Sequence, residues 1–174
     1  MHPAALTEQA LLSQCTIRRG RKSGPGGQHR NKVETLIEIT HTPSGIAAQA
    51  GERRSQSENR SVAIRRLRLA LALGVRTPVP SGDRISPLWR SRLQRAAPGS
   101  RALPRIACST RHDDFPTLLA EALDMLQACD SDPSKAGARL DCSPSSLVRL
   151  IKDHPPALAL LNSWRNERGL HALQ

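Results

Sequence analysis

Aromatic side chains are nearly missing: the 174 residues include two Trp, one Phe and no Tyr. A core must therefore be filled by Leu, Ile, Val and Ala. No apolar run approaches the ~18 residues that a membrane span requires, which excludes a transmembrane helix. The four cysteines (Cys15, Cys108, Cys129 and Cys142) are scattered, and no CxxC pair occurs. That spacing excludes the usual zinc-binding patterns, and no metal or cofactor is called for. No apolar leader follows Met1, and the first twelve residues hold no Arg or Lys. Neither a secretory nor a mitochondrial address is expected, and a reducing, cytoplasmic setting follows. Internal repeats and low-complexity tracts are absent too. Thirteen Pro and eleven Gly imply frequent breaks between elements.

What is abundant is positive charge. Lys and Arg number 26 against 15 Asp and Glu, a net of +11. Residues 1–110 carry a net of +13, whereas residues 111–174 carry −2. The asymmetry points to a polyanion partner for the first half, with nucleic acid the leading candidate, since each neutralised phosphate releases counterions. Arg outnumbers Lys 22 to 4, a bias from which no chemistry is drawn.

The pattern of residues predicts a short helix over 6–14 and a short strand over 15–19. A second strand is expected over 33–41, with Val33, Thr35, Ile37 and Ile39 on its packed face. Thr42-Pro43-Ser44-Gly45 reads as a turn, with Ile46 to Ala50 returning as a hairpin strand. A helix follows, with Ser55 and Glu58 spaced as a capping box and Gly74 placed to end it in a left-handed conformation. Ile64, Leu67 and Leu71 share its apolar face, while Arg60, Arg65, Arg66 and Arg68 read as a solvated one. Residues 76–112 read as a basic, proline-rich linker with a helical turn near 87–95 and a short strand at 105–109. Residues 113–174 read as helical, with Ser143 capping a helix and the last helix stopping near Gly169.

Between the first two strands lies Ser23-Gly24-Pro25-Gly26-Gly27-Gln28. Three glycines within four residues permit backbone conformations closed to other residues and bring N–H groups near a reacting centre. Arg18, Arg19, Arg21, Lys22, Arg30 and Lys32 surround this neutral tip. A phosphate loop of the GxxxxGK[ST] form and a GxGxxG fingerprint are both absent. The stretch SGPGGQHRNKVET, with the hairpin THTPSGIAA and the helix QSENRSVAIRRL, resembles the GGQ domain of class I peptide chain release factors. The resemblance covers residues 6–75, although His29-Arg30-Asn31-Lys32 departs from the family's usual continuation.

The resemblance implies an α+β fold: a small GGQ-type domain over 1–75, with a short mixed or antiparallel sheet and a packed helix. A linker over 76–112 and a small, all-α, helix-turn-helix-like domain over 113–174 would follow. It implies that Gly26, Gly27 and Gln28 act in the ribosomal peptidyl transferase centre, where the peptidyl-tRNA ester is hydrolysed. Ser23, Gly24 and Pro25 would support the loop. Arg18, Arg19, Arg21, Lys22, Arg30, Lys32, Arg53, Arg54 and Arg60 would meet RNA. The implied partners are large-subunit ribosomal RNA and peptidyl-tRNA, with the protein a monomer off the membrane. Some twenty residues precede the loop, so codon reading is not expected, and the likeness is greatest to the short rescue hydrolases. Those carry a strongly basic tail, where this chain has a helical, nearly neutral segment.

Two other readings stay open. One is a non-catalytic RNA- or ribosome-binding module. The other is a DNA-binding regulator using residues 136–153, for which Arg149 and Lys152 are the only cations on the helix from Ser145 to Asp153. Trp164 reads as a core residue, and Trp89 as a base-stacking or interdomain side chain.

Overall fold

A computed structural model describes residues 1–20, 35–79, 85–95, 97 and 100–174. The chain forms two compact units, Met1–Val75 and Arg76–Gln174. Among the described residues the fold is mixed α and β, with seven α-helices and antiparallel strands. No helix among them is long and apolar enough to cross a membrane.

The first unit begins with a 3-10 turn (Pro3–Ala5) and α1 (Glu8–Leu12), capped by the Thr7 hydroxyl. Three strands follow: β1 (Cys15–Gly20), β2 (Leu36–His41) and β3 (Ile46–Ala50). They form an antiparallel sheet in the order β1-β2-β3. Val33 and Glu34, expected in the second strand, lie outside the described residues. The alternation is otherwise as anticipated: Ile37 and Ile39 are buried, and so is His41. A four-residue turn links β2 to β3, with Gly45 at φ +70° and its N–H donating to His41 O at 2.8 Å. One of the two edge strands, β1, leaves Thr16 to Arg19 exposed.

Helix α2 (Gln56–Gly74) packs on β2 and β3 through Ala63, Ile64, Leu67 and Leu71. Ser55 caps it, its hydroxyl accepting from Glu58 N at 3.5 Å. Gly74 does not take the expected left-handed conformation: it closes the helix, and Val75 continues in extended backbone. Its glycine serves a close approach instead, because a Cβ there would lie 2.6 Å from Ile46 Cδ1. Two of the arginines read as solvated are tethers. Arg68 donates to Ala4 O at 2.6 Å and to Leu6 O at 2.7 Å. Arg66 donates to Gln49 O at 2.8 Å and pairs with Glu52 at 2.6 Å.

Two histidines complete the unit. The N–H of Ala4 donates to His2 Nδ1, so Nε2 carries the proton and donates to Val75 O at 3.0 Å. His41 sits between Ser44 Oγ at 2.7 Å and Gln14 Oε1 at 3.1 Å. The amide oxygen can only accept, so His41 Nε2 carries a proton and donates to it. Burial lowers its pKa, because desolvation disfavours the charged ring.

The second unit contains α3 (Pro87–Arg92), β4 (Leu93–Gln94), β5 (Arg105–Ile106), α4 (Phe115–Ala128), α5 (Pro133–Arg139), α6 (Pro144–Lys152) and α7 (Pro155–Glu167). The stretch read as linker thus contributes a helix and a two-stranded ribbon to this body. Its centre is α4, where Leu118, Leu119, Ala122, Leu123 and Leu126 are fully buried. Trp89 is also fully buried, and its indole N–H donates to Leu140 O at 2.9 Å. It is a core residue of this unit, with no ring face open for base stacking. Trp164 is only half-buried, with the Arg76 guanidinium 5.7 Å from its ring centroid.

Several local expectations are met. Ser143 caps α6, accepting from Ser146 N at 3.3 Å. Beyond α7, Gly169 has φ +68°, and the Leu170 N–H returns to Arg165 O at 2.8 Å. The helix thus ends near Gly169 as anticipated, and it does so through a left-handed glycine.

Candidate functional site

The glycine-rich segment joins β1 to β2. Its residues Ser23, Gly24, Pro25, Gly26, Gly27 and Gln28, with the cations Arg21, Lys22, Arg30 and Lys32, lie outside the described residues. What is described is the mount. Gly20 pairs with Leu36 across the ladder, Arg19 with Ile37 and Arg18 with Glu38. The segment therefore starts and returns at paired positions of one antiparallel ladder.

Of the other cations expected to meet RNA, Arg18, Arg19, Arg53, Arg54 and Arg60 are exposed. The strand's period of two sets Arg18 and Arg19 on opposite faces of the sheet. Arg19 and Arg60 line one cleft of about 450 Å³, together with Ile17, Ile37, Gln56 and Ser57. Arg60 is 4.0 Å from Glu8, with both side chains about half exposed, so that pair restrains it little. The fold thus brings Arg19 and Arg60 together and separates Arg18 from them. Arg53 and Arg54 precede α2, where the backbone of Arg53 is held from the helix.

That hold comes from a residue the sequence reading passed over. Asn59 is fully buried in the first turn of α2. Its Oδ1 accepts from Arg53 N at 2.9 Å, and its Nδ2 donates to Arg53 O at 3.0 Å and to Thr35 O at 2.7 Å. Thr35 immediately precedes β2, so this amide ties α2 to the return end of the glycine-rich segment. The available signal was spacing: Asn59, Ala63, Leu67 and Leu71 fall at successive i+4 positions of one buried stripe. An amide at the head of such a stripe must find partners.

Asn59→Ala leaves Arg53 N–H and two carbonyls short of partners, at a cost of about 1–3 kcal/mol for such unsatisfied groups. Asn59→Asp keeps the acceptor but turns an oxygen toward the Thr35 and Arg53 carbonyls. Both variants are expected to melt earlier than wild type when thermal unfolding is followed by circular dichroism. An unchanged melting curve for both would show that the clasp carries no stability.

Glu52, near Asn59, accepts from Gly51 N at 3.0 Å and from Arg66. The Gly51 backbone N–H, with a smaller contribution from Arg66, holds its carboxyl below the usual range. This exposed carboxylate steadies the corner between β3 and α2.

Comparison with known proteins gives the mount a context. The model of the RF-1 domain matches residues 10–79. Peptide chain release factor 2 of Variovorax paradoxus (strain S110) is 51% identical over 51 residues, which cover 29% of this chain and 14% of that protein. The corresponding factor of Acidovorax sp. (strain JS42) has the same identity and coverage. Peptide chain release factor 1 of Acidiphilium cryptum (strain JF-5) is 45% identical over 62 residues, 36% of this chain and 18% of that factor. The chain thus spans less than a fifth of the length of these relatives. The match extends across β1 to β3 and all of α2, with the Gly26-Gly27-Gln28 segment inside it. Residues 10–79, about two fifths of the chain, thus match the RF-1 domain, and this stretch is similar to part of class I peptide chain release factors.

Proposed function

We propose that the chain hydrolyses the ester of peptidyl-tRNA in the peptidyl transferase centre of the ribosome. The observation that carries this reading is Gly26-Gly27-Gln28 between two strands paired to each other, inside the stretch matched by the RF-1 domain. In the reaction, water oxygen attacks the ester carbonyl carbon. The bond to the terminal ribose oxygen of the tRNA breaks, that oxygen takes one of the water's protons, the other passes to solvent, and the peptide leaves as a carboxylate.

The Gln28 backbone N–H donates to the oxyanion or to the leaving hydroxyl, a contribution of about 3–4 kcal/mol by analogy with oxyanion donors elsewhere. The Gln28 side chain shapes the space so that water enters. Gly26 and Gly27 keep that space clear, and Ser23, Gly24 and Pro25 support the loop. Arg18, Arg19, Arg21, Lys22, Arg30, Lys32, Arg53, Arg54 and Arg60 serve as contacts to large-subunit RNA. The scheme needs no cofactor and no carboxylate or histidine base. It casts the protein as a cytoplasmic monomer that rescues stalled ribosomes without reading a codon. The helix-turn-helix-like pair α5–α6 serves as a docking element in this reading.

The test uses ribosomes stalled on a messenger truncated after a sense codon, with labelled peptidyl-tRNA in the P site. The purified chain is expected to release the peptide there. Release only when a stop codon is present would remove the codon-independent part. No release from either complex would leave the non-catalytic RNA-binding reading.

A further inference from the structure

The second unit carries a cation surface that the helix sequence alone does not reveal. Residues 85–111 contain six Arg and no Asp or Glu. The fold brings part of this stretch beside α6. The Ser143 N–H donates to Pro104 O at 2.8 Å, and the Ile106 N–H donates to the buried Ser146 Oγ at 3.3 Å. The β4–β5 ribbon is thereby fixed against the first turn of α6.

Between ribbon and helix lies a cleft of about 690 Å³, lined by Arg92, Gln94, Arg105, Ser145, Arg149 and Asp153 among others. Arg92 is committed to Asp114. Arg105 and Arg149 are exposed and have no ion pair among the described residues. Arg95, at the end of the ribbon, is 74% exposed and only 3.4 Å from Asp141, a pair that water screens strongly. The cleft on the other side of α6, which Arg149 and Asp153 also line, is less one-sided: Lys135, Lys152 and Arg165 there share the lining with Asp130 and Asp132.

The geometry points to the ribbon–α6 cleft as a binding site for the phosphate backbone of folded RNA, with Arg105 and Arg149 as its paired contacts. Guanidinium groups suit this role because their planar fork takes two phosphate oxygens at once. A protein partner would need an exposed apolar centre, yet Ile106 and Leu150 in this cleft are buried. Single-stranded RNA is bound on aromatic platforms, whereas Trp89 and Phe115 are both in the core. The choice of RNA over DNA rests on the ribosomal reading above; the cation site itself does not.

The test titrates the full chain with a 20-base-pair RNA duplex, the same duplex as DNA, and a 20-residue uridine strand, from 50 to 200 mM KCl. For R105Q/R149Q, binding to the RNA duplex is expected to weaken about tenfold at 150 mM. The slope of log affinity against log salt should flatten by about 1.8, the loss of two phosphate contacts. R105K/R149K keeps both charges and is expected to keep most of the slope, which separates charge from folding. Unchanged affinity and slope in R105Q/R149Q would overturn the proposal. Equal or tighter binding to the DNA duplex, or tighter binding to the uridine strand, would overturn folded RNA as the ligand. Wild-type RNA binding by R105Q/R149Q combined with lost ribosome binding would assign the cleft to a protein surface. Peptide release by the wild-type chain is a separate measurement, so failure of the hydrolysis reading is told apart from failure of this one.

Discussion

Gly27→Ala is expected to slow peptide release on truncated-messenger ribosomes by about 10²–10³-fold, the range found when an oxyanion donor is lost or misplaced. One added methyl group suffices because the proposed site needs backbone, not side chain, against the ester. Gln28→Ala should also slow release greatly, though it keeps the backbone N–H, because the space for water is no longer shaped by the amide. Gln28→Pro separates the two roles: proline has no N–H to donate, so it should be the most severe of the three. Ribosome binding, measured by co-sedimentation, is expected to persist in all of them, since the arginines are untouched. Full release activity in both Gly27→Ala and Gln28→Pro would remove the assigned chemistry.

The second large effect lies in the other unit. Trp89→Ala should destabilise it by about 3–5 kcal/mol, the usual cost of emptying a buried aromatic site. Leu140 O also loses the indole donor it receives at 2.9 Å. A whole domain is stable by only about 5–15 kcal/mol, so the variant should unfold at markedly lower urea. Trp89→Phe keeps most of the volume and loses the N–H, so about 1–2 kcal/mol is expected. Both tryptophans belong to the second unit. Fluorescence from the remaining Trp164 therefore reports the unfolding of that unit in either variant. A wild-type urea midpoint for Trp89→Ala would show that the site collapses without cost.

What could be read from the chain alone divides along a physical line. Features set by residues within a few positions of each other were legible. The hairpin over 37–50 follows from period-two alternation and a Gly45 turn. The caps at Ser55 and Ser143 and the stop at Gly169 depend on groups one turn away. The RF-1 domain was legible too, because the stretch SGPGGQHRNKVET that suggested it lies inside the matched residues 10–79. Features set by distant partners were not. Trp89 meets a carbonyl 51 positions on, and nothing near it in sequence announces that partner. Arg68 looks like a surface cation until α2 is laid beside Ala4 and Leu6. Gly74 has the sequence signature of a left-handed stop, but Ile46 of β3 decides its role. Asn59 reads as a polar helix residue until the path of Arg53 and Thr35 is known.

The edge position of β1 has a consequence for any experiment that strips charge from it. Among the described residues no strand pairs with its other side, and like charges are a common defence of such an edge against zipping with another extended chain. Arg18 and Arg19 supply that defence on both faces of the strand. Neutralising them would invite two molecules to share a continuous ribbon. Weakened ribosome affinity in such a protein is therefore meaningful only when gel filtration shows that it has not self-associated.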